Sequence, residues 1–364
     1  MIKYVEAKVL EKFMKDVFIA VGVPEKDAEV CANVLIAADL RGIDSHGIGR
    51  LKPIYIDRIK AGQINPITKI DIVNETPTTA VIDGNNGMGQ VIAKRSMEIA
   101  INKAKDYGMG MVAVRNSNHF GIAGYYALMA VENNMIGITG TNARPSICPT
   151  FGVENMLGTN PLTFAMPTDE DFPFFLDCAT SIIQRGKVEV YARLKKKMPE
   201  GWVIGEDGKF KTDPDEVLED MLKGKASLLP LGGAGEEFGG YKGYGYATVV
   251  EILSAALQQG AFLWALSGME NGKKVPYRLG HFFIAINIEA FTEVENFKKT
   301  TGDILRSLRN SKKAPGCERI YTAGEKEYIA MKERERNGIP LDEVEQEDMK
   351  MLINEYGLNY KFDF

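Results

Sequence analysis

The segment GNNGMGQ (residues 84–90) decides which kind of α/β fold this chain can adopt. It follows TTAVIDG (78–84), which reads as a strand. It precedes QVIAKRSMEIAINKAKDYG (90–108), whose apolar residues recur at helical spacing. Strand, glycine turn and helix are the setting of a Rossmann-type site, which requires G-x-G-x-x-G at that turn. Here Gly84, Gly87 and Gly89 fall at +3 and +5 instead of +2 and +5. The segment reads as a tight turn rather than a phosphate cradle, so it gives no Rossmann fingerprint.

Outward from this turn the middle of the chain is mixed. GMVAVRNS (110–117), MIGITGTNA (135–143), LTFAMPT (162–168), PFFLDCAT (173–180) and HFFIAINI (281–288) read as strands, and AGYYALMAVENN (123–134) as a helix. MPEGWVIGEDGKFKTDPDEV (198–217) is polar and rich in turn residues. LPLGGAGEEFGGYKGYG (229–245) is a glycine-rich loop running into the helix YATVVEILSAALQQG (246–260). Both ends differ from the middle. Val9, Leu10, Phe13, Met14, Val17 and Phe18 form one helical stripe, and the last 70 or so residues return to charged helical sequence. The expected organisation is a helical domain made of residues 1–75 with 296–364, around a mixed α/β region at 76–295 that divides into two subdomains.

The 364 residues have a net charge of -5 and are 45% hydrophobic, which excludes the basic stripe of a nucleic-acid binder. The one dense basic cluster, RLKKK (193–197), reads as a solvated loop edge. No apolar run approaches the ~18 residues of a membrane span. The N-terminus lacks the pattern of a signal peptide, and a cytoplasmic location is expected. The four cysteines, Cys31, Cys148, Cys178 and Cys317, form no C-x-x-C pair, so neither a disulfide framework nor a zinc site is expected. A P-loop and a G-x-S-x-G elbow are also missing.

Four stretches place polar residues beside glycines: DSHGIGRL (44–51), RNSNHFGIAGYY (115–126), TNARPSICPTFGVENMLGTNPLTFAMP (141–167) and PFFLDCATSIIQRGK (173–187). Each has a plain reading. His46 suits a surface, Ser45 a helix cap, His119 a loop, Arg50 a solvated helix face, and Asp177 the cap of a helix begun by ATSIIQ. Together they suit oxidation of a 2-hydroxy acid. Histidine removes the hydroxyl proton, a carboxylate fixes its tautomer, and arginine grips the substrate carboxylate with two parallel hydrogen bonds. Hydride transfer itself belongs to a nicotinamide cofactor.

At these motifs the chain resembles the malate/L-lactate dehydrogenase family that is unrelated to the Rossmann-fold enzymes. That family includes ureidoglycolate and sulfolactate dehydrogenases, diketogulonate reductase and piperideine-carboxylate reductase. SHGIGRL, NSNHFGIAGYY, GTNPLTFAMP, DCATS, MPEGW, LPLGG, YKGYG and PGCE carry the resemblance in order, nearly end to end. NARPSICPTFG is most similar to the malate dehydrogenase branch. The resemblance implies a non-Rossmann fold that binds NAD(H) or NADP(H) on a largely antiparallel sheet, and a homodimer or larger homo-oligomer. It also implies a small-molecule substrate: malate, or alternatively lactate, sulfolactate, ureidoglycolate or a cyclic imino acid.

The resemblance also assigns roles. His46, supported by Ser45 and Asp177, is one proton carrier, and His119 is a second candidate for that role. Arg50 lies where the family binds the substrate carboxylate. Cofactor contacts fall on Asn160, on Asp177, Cys178, Ala179, Thr180 and Ser181, on Leu229, Pro230 and Leu231, on Lys242, and on Gly316, Cys317 and Glu318. Two positions depart from the pattern. Cys317 stands where many relatives have glutamate, and Ala143 where some have serine. Arg144 is a candidate reader of malate's second carboxylate, and Arg185 with Lys187 a candidate holder of a 2′-phosphate.

Overall fold

The computed structural model describes every residue from Met1 to Phe364. Its centre is a seven-stranded sheet in the order Asp71–Glu75, Thr79–Asp83, Met109–Ser117, Leu279–Asn287, Met135–Thr141, Leu162–Met166, Phe174–Cys178. The strand Leu279–Asn287 sits in the middle although it comes latest in the chain. It pairs antiparallel with both neighbours, Ile284 standing opposite Met111 on one side and Ile138 on the other. Leu279 to Phe283 and Ala285 are all buried on this central strand, so HFFIA is apolar almost throughout.

Only one pair is parallel, Thr79–Asp83 with Met109–Ser117, and the helix Gly89–Tyr107 makes its crossover. GNNGMGQ is therefore the turn of a single βαβ unit. Its glycines are used for packing. A Cβ on Gly89 would stand 2.3 Å from the carbonyl oxygen of Asn118 and 2.4 Å from that of His119. Asn85 and Asn86 take left-handed conformations, and Asn86 N–H donates to Asn116 O at 2.7 Å. The turn thus braces the loop that carries His119. Across the sheet Gly137 does similar work, since a Cβ there would meet the Ala127 carbonyl oxygen at 2.2 Å.

Both termini contribute to one apolar cluster. Leu10, Phe13, Phe18, Leu35 and Tyr55 pack with Ile339, Leu341, Met349 and Leu352, and the strand Lys3–Val5 pairs with Ile339–Leu341. The two ends of the chain thus share a core, while Asp71–Glu75 lies in the central sheet. A separate cluster joins Ile147, Val188, Val203, Val217, Leu228 and Ala247 beside the main sheet. The polar stretch 198–217 contributes the strand Val203–Gly205 and the start of the helix Pro214–Lys223 to it. Asp213 caps that helix and Pro214 occupies its first turn. No helix is long and apolar enough to cross a membrane.

Candidate active site

DSHGIGRL does not form a helix face. It makes two short 3-10 turns, Asp44–His46 and Ile48–Arg50, then a wider turn at Leu51–Ile56 and a last α-turn at Asp57–Lys60. The glycines explain the break. Asp39 lies beneath the first turn, where a Cβ on Gly47 would stand 1.6 Å from its Oδ1. Its Oδ2 accepts the Ile48 N–H at 2.9 Å. Arg50 folds back so that its Nε donates to the Ser45 carbonyl oxygen. Burial pushes the Asp39 carboxyl well above the usual carboxylate range, with Glu345 and Asp44 nearby adding to the shift.

The two histidines meet. The rings of His46 and His119 stack with centroids 5.6 Å apart and planes 19° apart. His46 Nδ1 faces Ser45 Oγ at 2.8 Å. His119 Nδ1 receives the Gly121 N–H at 3.3 Å and faces the Tyr55 hydroxyl at 2.7 Å. An amide N–H can only donate, so this nitrogen of His119 is the acceptor and its neutral ring carries the proton on Nε2. The His46 side chain is half-buried. That burial, with the Arg50 charge second, lowers its pKa to about 4. Burial also drives His119 well down, as do His46, Arg58 and Arg50. The third histidine, His281, is a core residue under Phe120, with its Nδ1 on Thr141 Oγ1 at 2.7 Å.

Asp177 is placed differently from the expectation. It stands opposite Thr163 in the sheet register, whose hydroxyl donates to its Oδ1 at 2.8 Å, while its Oδ2 accepts the Gly124 N–H at 2.8 Å. Neither histidine is among its partners. It also caps no helix begun by ATSIIQ, since the next helix starts at Arg185. Burial raises the Asp177 carboxyl, and those two hydrogen bonds oppose the rise. Asp177 therefore ties the strand end to the start of the helix Gly124–Val131.

DCATS and LPL come together. Ser181 bridges Pro230 antiparallel, Leu231 N–H donates to Thr180 O at 2.8 Å, and Ile182 N–H to Leu229 O at 2.9 Å. Gly243, one residue past Lys242, allows the helix Gly240–Leu253 to touch this strip, for a Cβ there would meet Leu231 O at 2.1 Å. From Cys178 and Ala179 the strip runs on to Arg185 and Gly186, and a Cβ on Gly186 would lie 3.9 Å from that of Ser45. Arg185 pairs with Glu189 at 3.0 Å, and Lys187 stands over the Tyr191 ring.

Two predicted contacts are used otherwise. The Asn160 side chain is buried and fully engaged, accepting from Ala143 N–H at 3.1 Å and donating to Ala247 O at 3.0 Å and Glu251 Oε2 at 2.8 Å. It holds the loop rather than offering a free amide. Gly316, Cys317 and Glu318 are exposed, and their segment bonds within itself, Cys317 N–H to Ala314 O and Lys313 to the Glu318 carbonyl.

These motifs decide the family. A family profile described as malate/L-lactate dehydrogenase matches residues 5–350. The chain belongs to the malate/L-lactate dehydrogenase family. It is 46% identical over 349 residues to the malate dehydrogenase of Pyrococcus horikoshii, covering 96% of this chain and 94% of that one. It is 43% identical over 357 residues to the L-sulfolactate dehydrogenase of Methanocaldococcus jannaschii, covering 96% of each. The crystal structure of malate dehydrogenase from Entamoeba histolytica superposes with a TM-score of 0.96 at 49% identity, over 100% of both chains. The protein is a hydroxy acid dehydrogenase. Two further residues stand at these turns outside the sequence motifs. Tyr55 faces His119 Nδ1 and Asp39 accepts the Ile48 N–H, and both are buried.

Proposed function

We propose that the protein is an NAD(P)-dependent malate dehydrogenase, with sulfolactate-type acids as its second substrate class. The observation that carries this reading is the pair of stacked histidines with the Arg50 charge acting on both, a guanidinium that forms no ion pair with a carboxylate of the chain. Arg50 bonds only to a backbone carbonyl, and Arg144 is exposed at the cleft loop. Arg50 suits the carboxylate next to the reacting carbon, and Arg144 the far anion. A sulfonate is also an anion that arginine binds, which keeps the second class open.

The residues fit a nicotinamide dinucleotide. Ser181 Oγ is buried with no partner on the strip beside Leu229, Pro230 and Leu231, and such an orphan suits a ligand hydroxyl. Cys178 to Ser181, Leu229 to Leu231 and Lys242 are proposed to hold the cofactor, with Asn160 shaping the loop from behind. Arg185 and Lys187 are proposed to accept a 2′-phosphate. Once bound, the nicotinamide accepts or supplies the hydride.

Proton handling falls to the chain. With Nδ1–H donated to Ser45 Oγ, His46 presents a free Nε2 lone pair and acts as the base in oxidation. Because His119 has its proton on Nε2, it donates to the substrate oxygen and steadies developing charge there. Tyr55 and Gly121 hold that tautomer.

The helix Gly240–Leu253 borders an apolar groove of about 610 Å³, flanked by exposed Ile252, Leu257, Phe262 and Trp264. A contiguous exposed apolar face of this kind supports a homodimer contact. A cytoplasmic location is proposed with it, in keeping with four free cysteines.

The test is a panel of oxaloacetate, sulfopyruvate, pyruvate and a cyclic imino acid, each with NADH and NADPH, followed by nicotinamide absorbance. Oxaloacetate should turn over with the highest kcat/KM. Turnover of the imino acid alone would overturn the reading.

A further inference from the structure

Arg58 lies in IDRIKAG (56–62), outside the motifs that the sequence offers. Its surroundings are unlike those of a surface arginine. The guanidinium carbon lies 4.1 Å from the centroid of the Tyr277 ring. The same ring rests against Gly268, where a Cβ would stand 2.7 Å from the ring Cζ. Gln63 fixes the base of the hairpin Met269–Glu270/Lys273–Lys274 by donating to Val275 O at 2.9 Å and to Gly268 O at 3.3 Å. Arg58 is thus seated on an aromatic platform that the chain builds from two distant segments.

The guanidinium is close enough to the stacked pair for its charge to act on His119. Tyr55, whose hydroxyl faces His119 Nδ1, precedes Arg58 by three residues where the wide turn Leu51–Ile56 runs into the α-turn Asp57–Lys60. The adjacent carboxylate, Asp57, is taken by Lys52 at 3.1 Å. Arg58 has no carboxylate partner of its own, and Arg144 and Arg50 are the cations that act on it. Three guanidinium groups so placed repel one another until anions arrive. One anion satisfies Arg50. Two anions on one short substrate satisfy the cluster.

We propose that Arg58, seated on the Tyr277 ring, receives the second anionic group of a dianionic 2-oxo or 2-hydroxy acid and so sets the preference over lactate-type substrates. This rests on the dehydrogenase reading above. Arg58 comes from the rigid wall and Arg144 from an exposed loop, so Arg58 supplies the fixed half of the clamp. A carboxylate and a sulfonate are the two anions that fit.

The experiment measures kcat and KM for oxaloacetate, sulfopyruvate and pyruvate in wild type, Arg58→Met, Arg58→Lys and Arg144→Ala, with thermal unfolding of each. Methionine keeps an apolar stem on the Tyr277 ring and removes the charge. Arg58→Met is expected to lower kcat/KM for both dianions by roughly 10–150-fold, the range for a lost charge-assisted hydrogen bond. Pyruvate should change by less than about 3-fold. Arg58→Lys should recover part of the loss, because it restores charge without the planar stack. A loss on oxaloacetate alone assigns Arg58 to carboxylates, and a loss on both dianions to either anion. Equal losses on all three acids, or a dianion-selective loss in Arg144→Ala but not in Arg58→Met, would overturn the proposal. Should Arg58→Met not fold, an Arg58→Lys variant as selective as wild type overturns it too. A folded wild type inert toward every acid removes the dehydrogenase reading and this one together, a pattern distinct from any variant result.

Discussion

The C-terminal helix Glu343–Tyr356 offers a sharp test, because Glu345 supports the turn that carries His46 and Arg50. One carboxyl oxygen accepts the Asp342 N–H at 2.8 Å, and the other lies 3.0 Å from where a Cβ on Gly49 would stand. Burial is the main influence on this carboxyl. The nearby Asp342 and Asp44 add to it, the Asp342 N–H opposes, and the result is a pKa raised from 4.5 to about 7. A raised acid favours the protonated folded state. Its contribution is fully present below 4.5 and is lost as pH rises through 7. At 1.36 kcal/mol per pH unit, a rise of about 2.5 units would cost the ionised form about 3.4 kcal/mol. Glu345 is only half-buried, so water screens part of this and about 1–2 kcal/mol remains. Glu345→Gln removes the charge and keeps the capping box, in which Gln serves as well as Glu. For a chain of this length that corresponds to about 1–3 °C in Tm. Scanning calorimetry at about pH 5 and about pH 8 should show the variant more stable at the higher pH and little changed at the lower. A lower Tm at the higher pH, or the same shift at both, would refute the reasoning.

Other expectations follow from the site and sheet. In malate oxidation the pH profile of kcat/KM reports the free enzyme, so with His46 at about 4 it should stay level from about pH 8 to about pH 5. A drop centred near the ordinary histidine value of about 6.5 would contradict the buried, Arg50-flanked ring. Tyr55→Phe removes the hydroxyl facing His119 Nδ1 and should lower kcat roughly 10-fold while leaving KM nearly constant. A change confined to KM would show that Tyr55 serves binding instead. Gly137→Ala should lose about 1–3 kcal/mol, because its new methyl meets the Ala127 carbonyl oxygen, with a measurable fall in Tm. An unchanged Tm would mean that the helix moves away at no cost.

Much of the sheet was legible because its signals are local. TTAVIDG, GMVAVRNS and HFFIAINI announce strands by composition, and GNNGMGQ reads as the tight strand-to-helix turn that it forms. What sequence could not supply was register. Asp177 looks like a partner for His46 until Phe174–Cys178 is laid beside Leu162–Met166. Then Thr163 stands opposite, and its hydroxyl claims the carboxylate. A shift of one residue would have turned Asp177 to the other face of the sheet. The glycines of DSHGIGRL were visible, but not the reason for them. Asp39 lies beneath Gly47 and Glu345 beside Gly49, and only the folded chain brings the last helix to that turn.

Arg58 shows why a cationic site is harder to read than a catalytic one. Histidine is rare in this chain, so His46 and His119 draw notice wherever they fall. Arginine is common on surfaces, and IDRIKAG has the charge pattern of an ordinary helix end. The distinction lies in what the guanidinium lacks and what lies under it. Asp57 is already paired with Lys52, and Tyr277 arrives from beyond the glycine-rich loop to form the platform. A cation kept from every carboxylate of its own chain is an electrostatic cost that folding alone does not offset. A dianionic substrate offsets it, which is why substrate preference, rather than stability, is the property on which Arg58 should be judged.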